Sequence, residues 1–307
     1  MNLRSQGLAF SALAWLVIGV NLWLPPLAVQ AQLAALAPVI LLLGVPHGAL
    51  DIVFVRQLAH LRSAAAWSFF TMAYGAAAAS VVAVWWLAPS IFLALFLLIS
   101  AFHFSGDPEG QTSVAFRLLY GGAVIVCPLA LHAAEVSQLF AALAGAPAAR
   151  RTVAALQWAA WPWVVAVGIA AILGARRDAM RSIELVSVAA LLSFTPPLIG
   201  FTLFFCAMHG ARHVLRTRDY SNAGTLQHLV RIAAWPMLAT VVGVAMVWWL
   251  SEGKPLDTRL AQLLFVGLAA LTVPHMLVVE RVRLTGWVIG SKGSKARPSK
   301  LACGVSR

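Results

Sequence analysis

The sequence predicts an all-α, polytopic membrane bundle of about eight to ten spanning helices. Three observations predict it. Hydrophobic residues make up 61% of the chain, charged residues only 10%, and the mean hydropathy is +0.86; soluble domains carry about 25% charged residues. Apolar runs near the roughly 20 residues that cross a bilayer as helix recur along the chain. No ten-residue alternating pattern suggests a barrel, and backbone polar groups cannot go unpaired in hydrocarbon, so the runs are helices.

In order, the runs fall near 8–25, 33–55, 67–87, 89–105, 114–132, 155–174, 181–194, 197–215, 233–250 and 260–279, the seventh being the shortest. They form one domain, residues 1–285. The end, "SKGSKARPSKLACGVSR", is polar and basic, and residues 286–307 are expected to form a disordered tail at the membrane surface. The net charge of +12 brings no nucleic-acid motif with it, since the basic residues are short clusters between apolar runs. Their placement reads as topology. With Arg4 cytoplasmic, the inner loops hold Arg56, Arg62, Arg117, Arg176, Arg177, Arg181, Arg212, Arg216, Arg218 and the tail from Arg281; the outer loops hold mainly Arg150, Arg151, Lys254 and Arg259. The positive-inside rule then puts both termini on the cytoplasmic side of the cell inner membrane. Residues 1–31 also admit a signal-peptide reading, with "LAVQAQ" around a cleavage point. Cys127, Cys206 and Cys303 show no paired spacing, so neither a disulfide framework nor a cysteine metal site is indicated.

The histidines divide by position. His60 and His228 lie in or beside basic loops and His132 at the outer end of the fifth run, where interfacial side chains belong. The other five sit inside apolar runs: His47 in "GVPHGALD", His103 in "SAFHFSGD", His209 and His213 in "CAMHGARH", and His275 in "TVPHMLVVE". Read singly, each is an ordinary core imidazole bonded to a neighbouring helix. Read together, they lie on the second, fourth, eighth and tenth runs, all crossing in one direction, and each falls in the inner half. An ionisable side chain at mid-membrane costs about 2.5–3.5 kcal/mol on insertion scales. Five at similar depth therefore point to a shared use.

Spacing sharpens this, because residues i and i+4 share a helix face. His209 and His213 form an H-x-x-x-H pair able to place two nitrogens on one metal. Asp51 follows His47 at i+4 and Asp107 follows His103 at i+4, each placed to accept the second N–H of a ligating imidazole. Capping or an ion pair with a loop arginine is the other reading of both carboxylates. Neutral imidazole suits zinc, copper, nickel or iron, and composition does not choose among them. The fold expectation thus becomes a helical bundle with a metal site between helices. Gly44 and Gly48 offer a small-residue face for close helix approach, and Pro46 and Pro274 each precede a histidine inside an apolar run.

In "PHGALD", "HFSGD", "HGARH" and the late "PH", in this order, the chain resembles the Brp/Blh family of bacterial and archaeal β-carotene 15,15′-dioxygenases over roughly residues 35–285. The resemblance implies an integral membrane enzyme that cleaves the central double bond of β-carotene with O₂ to give two all-trans-retinal, using non-haem Fe(2+). It implies His47, His103, His209 and His213 as the iron ligands. Asp51, Asp107 and His275 are then expected around the ligands or along the cavity, with Asp51 acting through His47. The lipid bilayer is the expected source of substrate, and a retinal-binding rhodopsin is a candidate acceptor of product. The rival readings are an ion or proton transporter using the intramembrane His and Asp, a di-iron desaturase or hydroxylase, and another carotenoid-modifying reaction in the same family. Flux without a carotene product would favour the first. The second uses more histidines, in closer clusters, than the five placed here.

Overall fold

Helix follows from the absence of any water-facing alternative, and where it breaks the sequence shows why. The computed structural model describes residues 2–282 apart from Pro26, residues 60–62, Gln111 and residues 222–224. His60, Arg62, Cys303 and the basic tail expected over 286–307 lie outside the described residues. Helix α1 (Leu3–Asn21) opens on a capping box: Asn2 Oδ1 accepts from the Ser5 amide at 2.8 Å and Ser5 Oγ accepts from the Asn2 amide at 3.0 Å. Helix α2 (Val29–Val39) runs through a π-helical stretch, Ile40–Gly44, and a 3₁₀ stretch, Val45–Leu50, into α3 (Asp51–Ala59). Then come α4 (Ala64–Leu87), α5 (Pro89–Phe104) and α6 (Val114–Val126) with its 3₁₀ turn Cys127–Ala130. Beyond it lie α7 (Ala133–Ala144), α8 (Ala146–Ala175) and α9 (Ala179–Phe194). Helix α10 (Pro197–Leu203) passes through a second π-helical stretch, Phe204–Gly210, into α11 (Ala211–Ser221), followed by α12 (Leu226–Leu250) and α13 (Leu256–Val282).

The protein is a multi-pass membrane protein. Among the described residues seven helices are long and apolar enough to span, or eight if the bent pair Val114–Ala130 and Ala133–Ala144 is one span. The runs at 89–105 and 181–194 appear as the 16-residue helices α5 and α9. The fifth run ends at Ala130, close to the expected 132, but a further apolar helix that the run did not indicate follows it. Pro128 sits in the 3₁₀ turn, the chain bends by 109°, and α7 continues from the His132 cap.

Packing places α9 near the centre, against α1, α8 and α6, with Leu185, Val188, Leu191 and Leu192 fully buried. Helices α4 and α12 form the rim. No residue of α4 is buried, and Trp86, Leu87, Trp235 and Trp249 face outwards, as apolar side chains do where the surroundings are lipid. The two interrupted spans, 29–59 and 197–221, meet inside the bundle through their irregular stretches.

Close approach is specific to certain glycines. A Cβ on Gly121 of α6 would collide with the Ala101 carbonyl oxygen and the Ser105 amide of α5, whereas one on Gly168 of α8 meets nothing within 4 Å. Gly121→Ala should therefore lose about 1–3 kcal/mol of stability through overpacking against backbone that cannot yield. Thermal unfolding in detergent should show the midpoint fall for Gly121→Ala and stay unchanged or rise slightly for Gly168→Ala. Equal midpoints for the two variants would contradict the α5–α6 packing.

Candidate metal centre

The site begins with two helix irregularities. π-Helical turns widen the helix locally and recur at functional sites; here one stretch ends at Gly44, just before His47, and the other contains His209. Glycine allows the two spans to touch. A Cβ on Gly44 would run into the Phe205 ring of the other span.

Five imidazoles converge there from the 29–59 span, α5, the 197–221 span and α13. Ring centroids of His47 lie 4.8, 5.4 and 5.3 Å from those of His209, His213 and His275. His103 lies 4.6 Å from His209 and 5.3 Å from His275, and His213 lies 5.0 Å from His275. Nitrogens of His47, His103 and His275 fall within 4.8 Å of one another, and Nε2 of His103 is 3.0 Å from Nε2 of His209.

Acceptors fix the tautomers. His47 Nδ1 meets the Gly44 carbonyl oxygen, which can only accept, so the proton is on Nδ1 and the lone pair on Nε2. His209 Nδ1 donates to the Asp107 carboxylate at 2.9 and 3.1 Å, and His275 Nδ1 donates to Asp51 Oδ1 at 2.6 Å. Three rings thus keep Nε2 as a donor atom for a metal, with a carboxylate or carbonyl behind each. The spacing fits an ion as well. Two nitrogens bound at about 2.1 Å and at a right angle are separated by about 3.0 Å, which is the His103–His209 Nε2 separation. An all-imidazole donor set suits zinc, copper, nickel or iron.

The four histidines expected to act together are thus gathered, and His275, expected at the edge, is among them. His132 is half-buried and pairs with Glu135 at 3.2 Å, and His228 is exposed. Each carboxylate supports a different histidine from the one expected. Asp51 was to support His47 one turn away, but the intervening 3₁₀ stretch turns about 120° per residue, leaving Asp51 up to roughly 120° around the axis where an α-helix would leave it roughly 40° away. It reaches His275 instead. Asp107 was to support His103, but α5 ends at Phe104, and beyond Ser105 the chain turns so that Asp107 meets His209.

Other participants went unread in the sequence. Tyr74, in the apolar α4, donates to Asp51 Oδ2 at 3.0 Å. Arg212, expected in an inner loop, is 0% exposed. Its guanidinium donates to both Glu184 oxygens at 2.8 and 3.0 Å, to Gln6 Oε1 at 3.0 Å and to the Asp107 carbonyl at 3.2 Å. Arg216 donates to the carbonyls of Gly106 and Asp107 at 3.0 and 2.7 Å. The two arginines clamp the turn that aims Asp107 at His209. Gln6 Nε2 donates to the Ala207 carbonyl at 2.7 Å, within the π-helical stretch. Glu184, an acid inside the shortest apolar run, was the signal for this pair.

Beside His103 lies a cavity of about 90 Å³ lined by apolar side chains. Phe96, Ser100, His103 and Phe104 repeat along one face of α5, with Phe201 and Phe205 opposite. Phe205 also stacks on His209, with centroids 5.7 Å apart. The cavity therefore borders the imidazole cluster.

A family model described as Beta-carotene 15,15'-dioxygenase matches residues 37–282. A protein named Beta-carotene 15,15'-dioxygenase, from uncultured marine bacterium 66A03, is 24% identical over 254 residues, which is 78% of this chain and 90% of that protein. No solved structure matches the chain.

Removing one member of the buried pair leaves an uncompensated charge, which costs about 3–5 kcal/mol, whereas replacing both by apolar groups is often close to neutral. Glu184→Ala should therefore destabilise the protein by that amount, and Glu184→Leu with Arg212→Met should be less destabilised than Glu184→Ala alone. Thermal unfolding of the detergent-solubilised variants reads both. A single variant as stable as wild type would contradict a desolvated pair.

Proposed function

The chain belongs to the beta-carotene 15,15′-dioxygenase family, and from that premise we propose that it cleaves the central 15,15′ double bond of β-carotene with O₂ to give two all-trans-retinal. A non-haem Fe(2+) held by His47, His103, His209 and His213 is part of the proposal. The observation that carries it is the contact between an apolar cavity and an imidazole cluster, with His103 belonging to both. A polyene needs apolar walls, and a metal needs neutral nitrogens. Here one side chain borders both.

Iron held by these neutral imidazoles would keep its positive charge and would supply the activation of O₂, in a donor set unlike the two-histidine, one-carboxylate triad. The remaining tasks fall to the chain. Phe96, Phe104, Phe201 and Phe265 line the cavity and would hold the polyene so that one of its many double bonds faces the cluster. The same walls exclude water, which limits side reactions of oxygen. Asp107 keeps His209 in the Nδ1–H tautomer, so Nε2 stays available. A substrate dissolved in lipid has a sideways route into such a bundle. The cell inner membrane with both termini cytoplasmic agrees with the loop arginines, and a retinal-binding rhodopsin is a candidate acceptor of product.

Purified protein given β-carotene in air should yield retinal at two per carotene and lose activity on iron chelation. Cleavage in labelled O₂, with rapid trapping, should label both aldehydes. Alanine at His47, His103, His209 or His213 should each cost more than the roughly 10–100-fold typical of losing an outer hydrogen-bond partner, while His132→Ala and His228→Ala keep most activity. A stoichiometric metal other than iron, or equal loss at His132 and His209 in folded variants, would overturn the assignment.

A further inference from the structure

We propose that His275 is itself a metal ligand, the fifth imidazole of the shell, and that Tyr74 is a positioning residue acting on it through Asp51. The inference rests on the metal-dependent reading above and adds to it two residues, from helices α4 and α13.

His275 is 2% exposed, and its two nitrogens are in opposite situations. Nδ1 donates to Asp51 Oδ1 at 2.6 Å. Nε2 is buried and has no hydrogen-bond partner among the described residues. A buried nitrogen left without a partner is uncommon and calls for a cause. Its surroundings supply one: the ring lies 5.3, 5.3 and 5.0 Å from His47, His103 and His213, and a nitrogen of His275 falls within 4.8 Å of those of His47 and His103. A core histidine serving only to pack would gain nothing from a carboxylate behind one nitrogen and a cluster of imidazoles before it. A ligand gains from both, because the carboxylate fixes the ring and raises its basicity.

The support extends one step further. Asp51 is itself buried and uses its second oxygen to accept from Tyr74 Oη at 3.0 Å. With both oxygens bonded, its plane is fixed and so is the ring of His275. Tyr74 ties α4, a helix with no buried residue, to the centre of the bundle. Five imidazoles leave one position in a six-coordinate shell, so exogenous ligands would compete for a single place.

The full chain, purified in detergent and stripped of metal, is titrated with Co(II) and followed by its visible d–d absorption, whose intensity rises as coordination number falls. Wild type should bind one Co(II) with a weak band. His275→Ala should bind at least about 10-fold more weakly, with a more intense band that added imidazole returns towards the wild-type spectrum. Asp51→Asn should lose on the order of 10–100-fold in affinity, and Tyr74→Phe a smaller amount in the same direction. Folded His275→Ala with wild-type affinity and spectrum would overturn the fifth ligand while leaving the four-histidine reading intact. Should that variant fail to insert, wild-type affinity in Asp51→Asn and Tyr74→Phe would overturn the inference instead. Wild type that binds no Co(II) would remove the metal reading and this inference with it.

Discussion

An imidazole placed in hydrocarbon must have its N–H satisfied, and the rest of this structure follows from meeting that requirement three times in one place. His47 satisfies it with a carbonyl of its own span, His209 with Asp107 and His275 with Asp51. Each arrangement demands a break in helical regularity. The Gly44 carbonyl lies at the end of a π-helical stretch, Asp107 lies past the end of α5, and Asp51 follows a 3₁₀ stretch. Irregular backbone at membrane depth is tolerated where it is enclosed by protein, and α12 and α13 pack against the 3₁₀ stretch while α1 packs against the second π-helical stretch.

Burying Asp107 creates a second requirement, because its turn must be held without water. Arg212 and Arg216 do this through backbone carbonyls, and Glu184 offsets the charge of Arg212. A buried ion pair contributes little to stability in itself, since desolvation takes back most of the Coulombic gain. Its value here is directional. It connects α9, α11, the α5–α6 turn and, through Gln6, the first helix, so that the orientation of His209 depends on residues far apart in the chain.

How far the sequence could be read depended on the kind of interaction. Spans are legible because lipid imposes run length, and the histidine set is legible because five ionisable groups inside apolar runs need a common cause. The pairing of carboxylates with histidines was not legible. It rests on the assumption of 3.6 residues per turn between His47 and Asp51 and between His103 and Asp107, and the chain departs from that at both places. The α6–α7 bend was hidden because the apolar run continues up to the 3₁₀ turn holding Pro128. Arg212 and Arg216 looked like loop residues because an inward-facing arginine at a span's end has the same sequence signature as one that faces solvent, and only Glu184, on a separate helix, distinguishes them.

On the proposed reading the bundle would build a metal shell from imidazole nitrogens, with both carboxylates held back as hydrogen-bond acceptors. X-ray absorption at the metal edge of the purified, loaded protein tests this most directly. The spectrum should show a first shell of light atoms near about 2.1 Å, with the multiple-scattering pattern of four to five imidazole rings. A shell with two or fewer imidazoles, or one in which a carboxylate of Asp51 or Asp107 binds the metal directly, would contradict it.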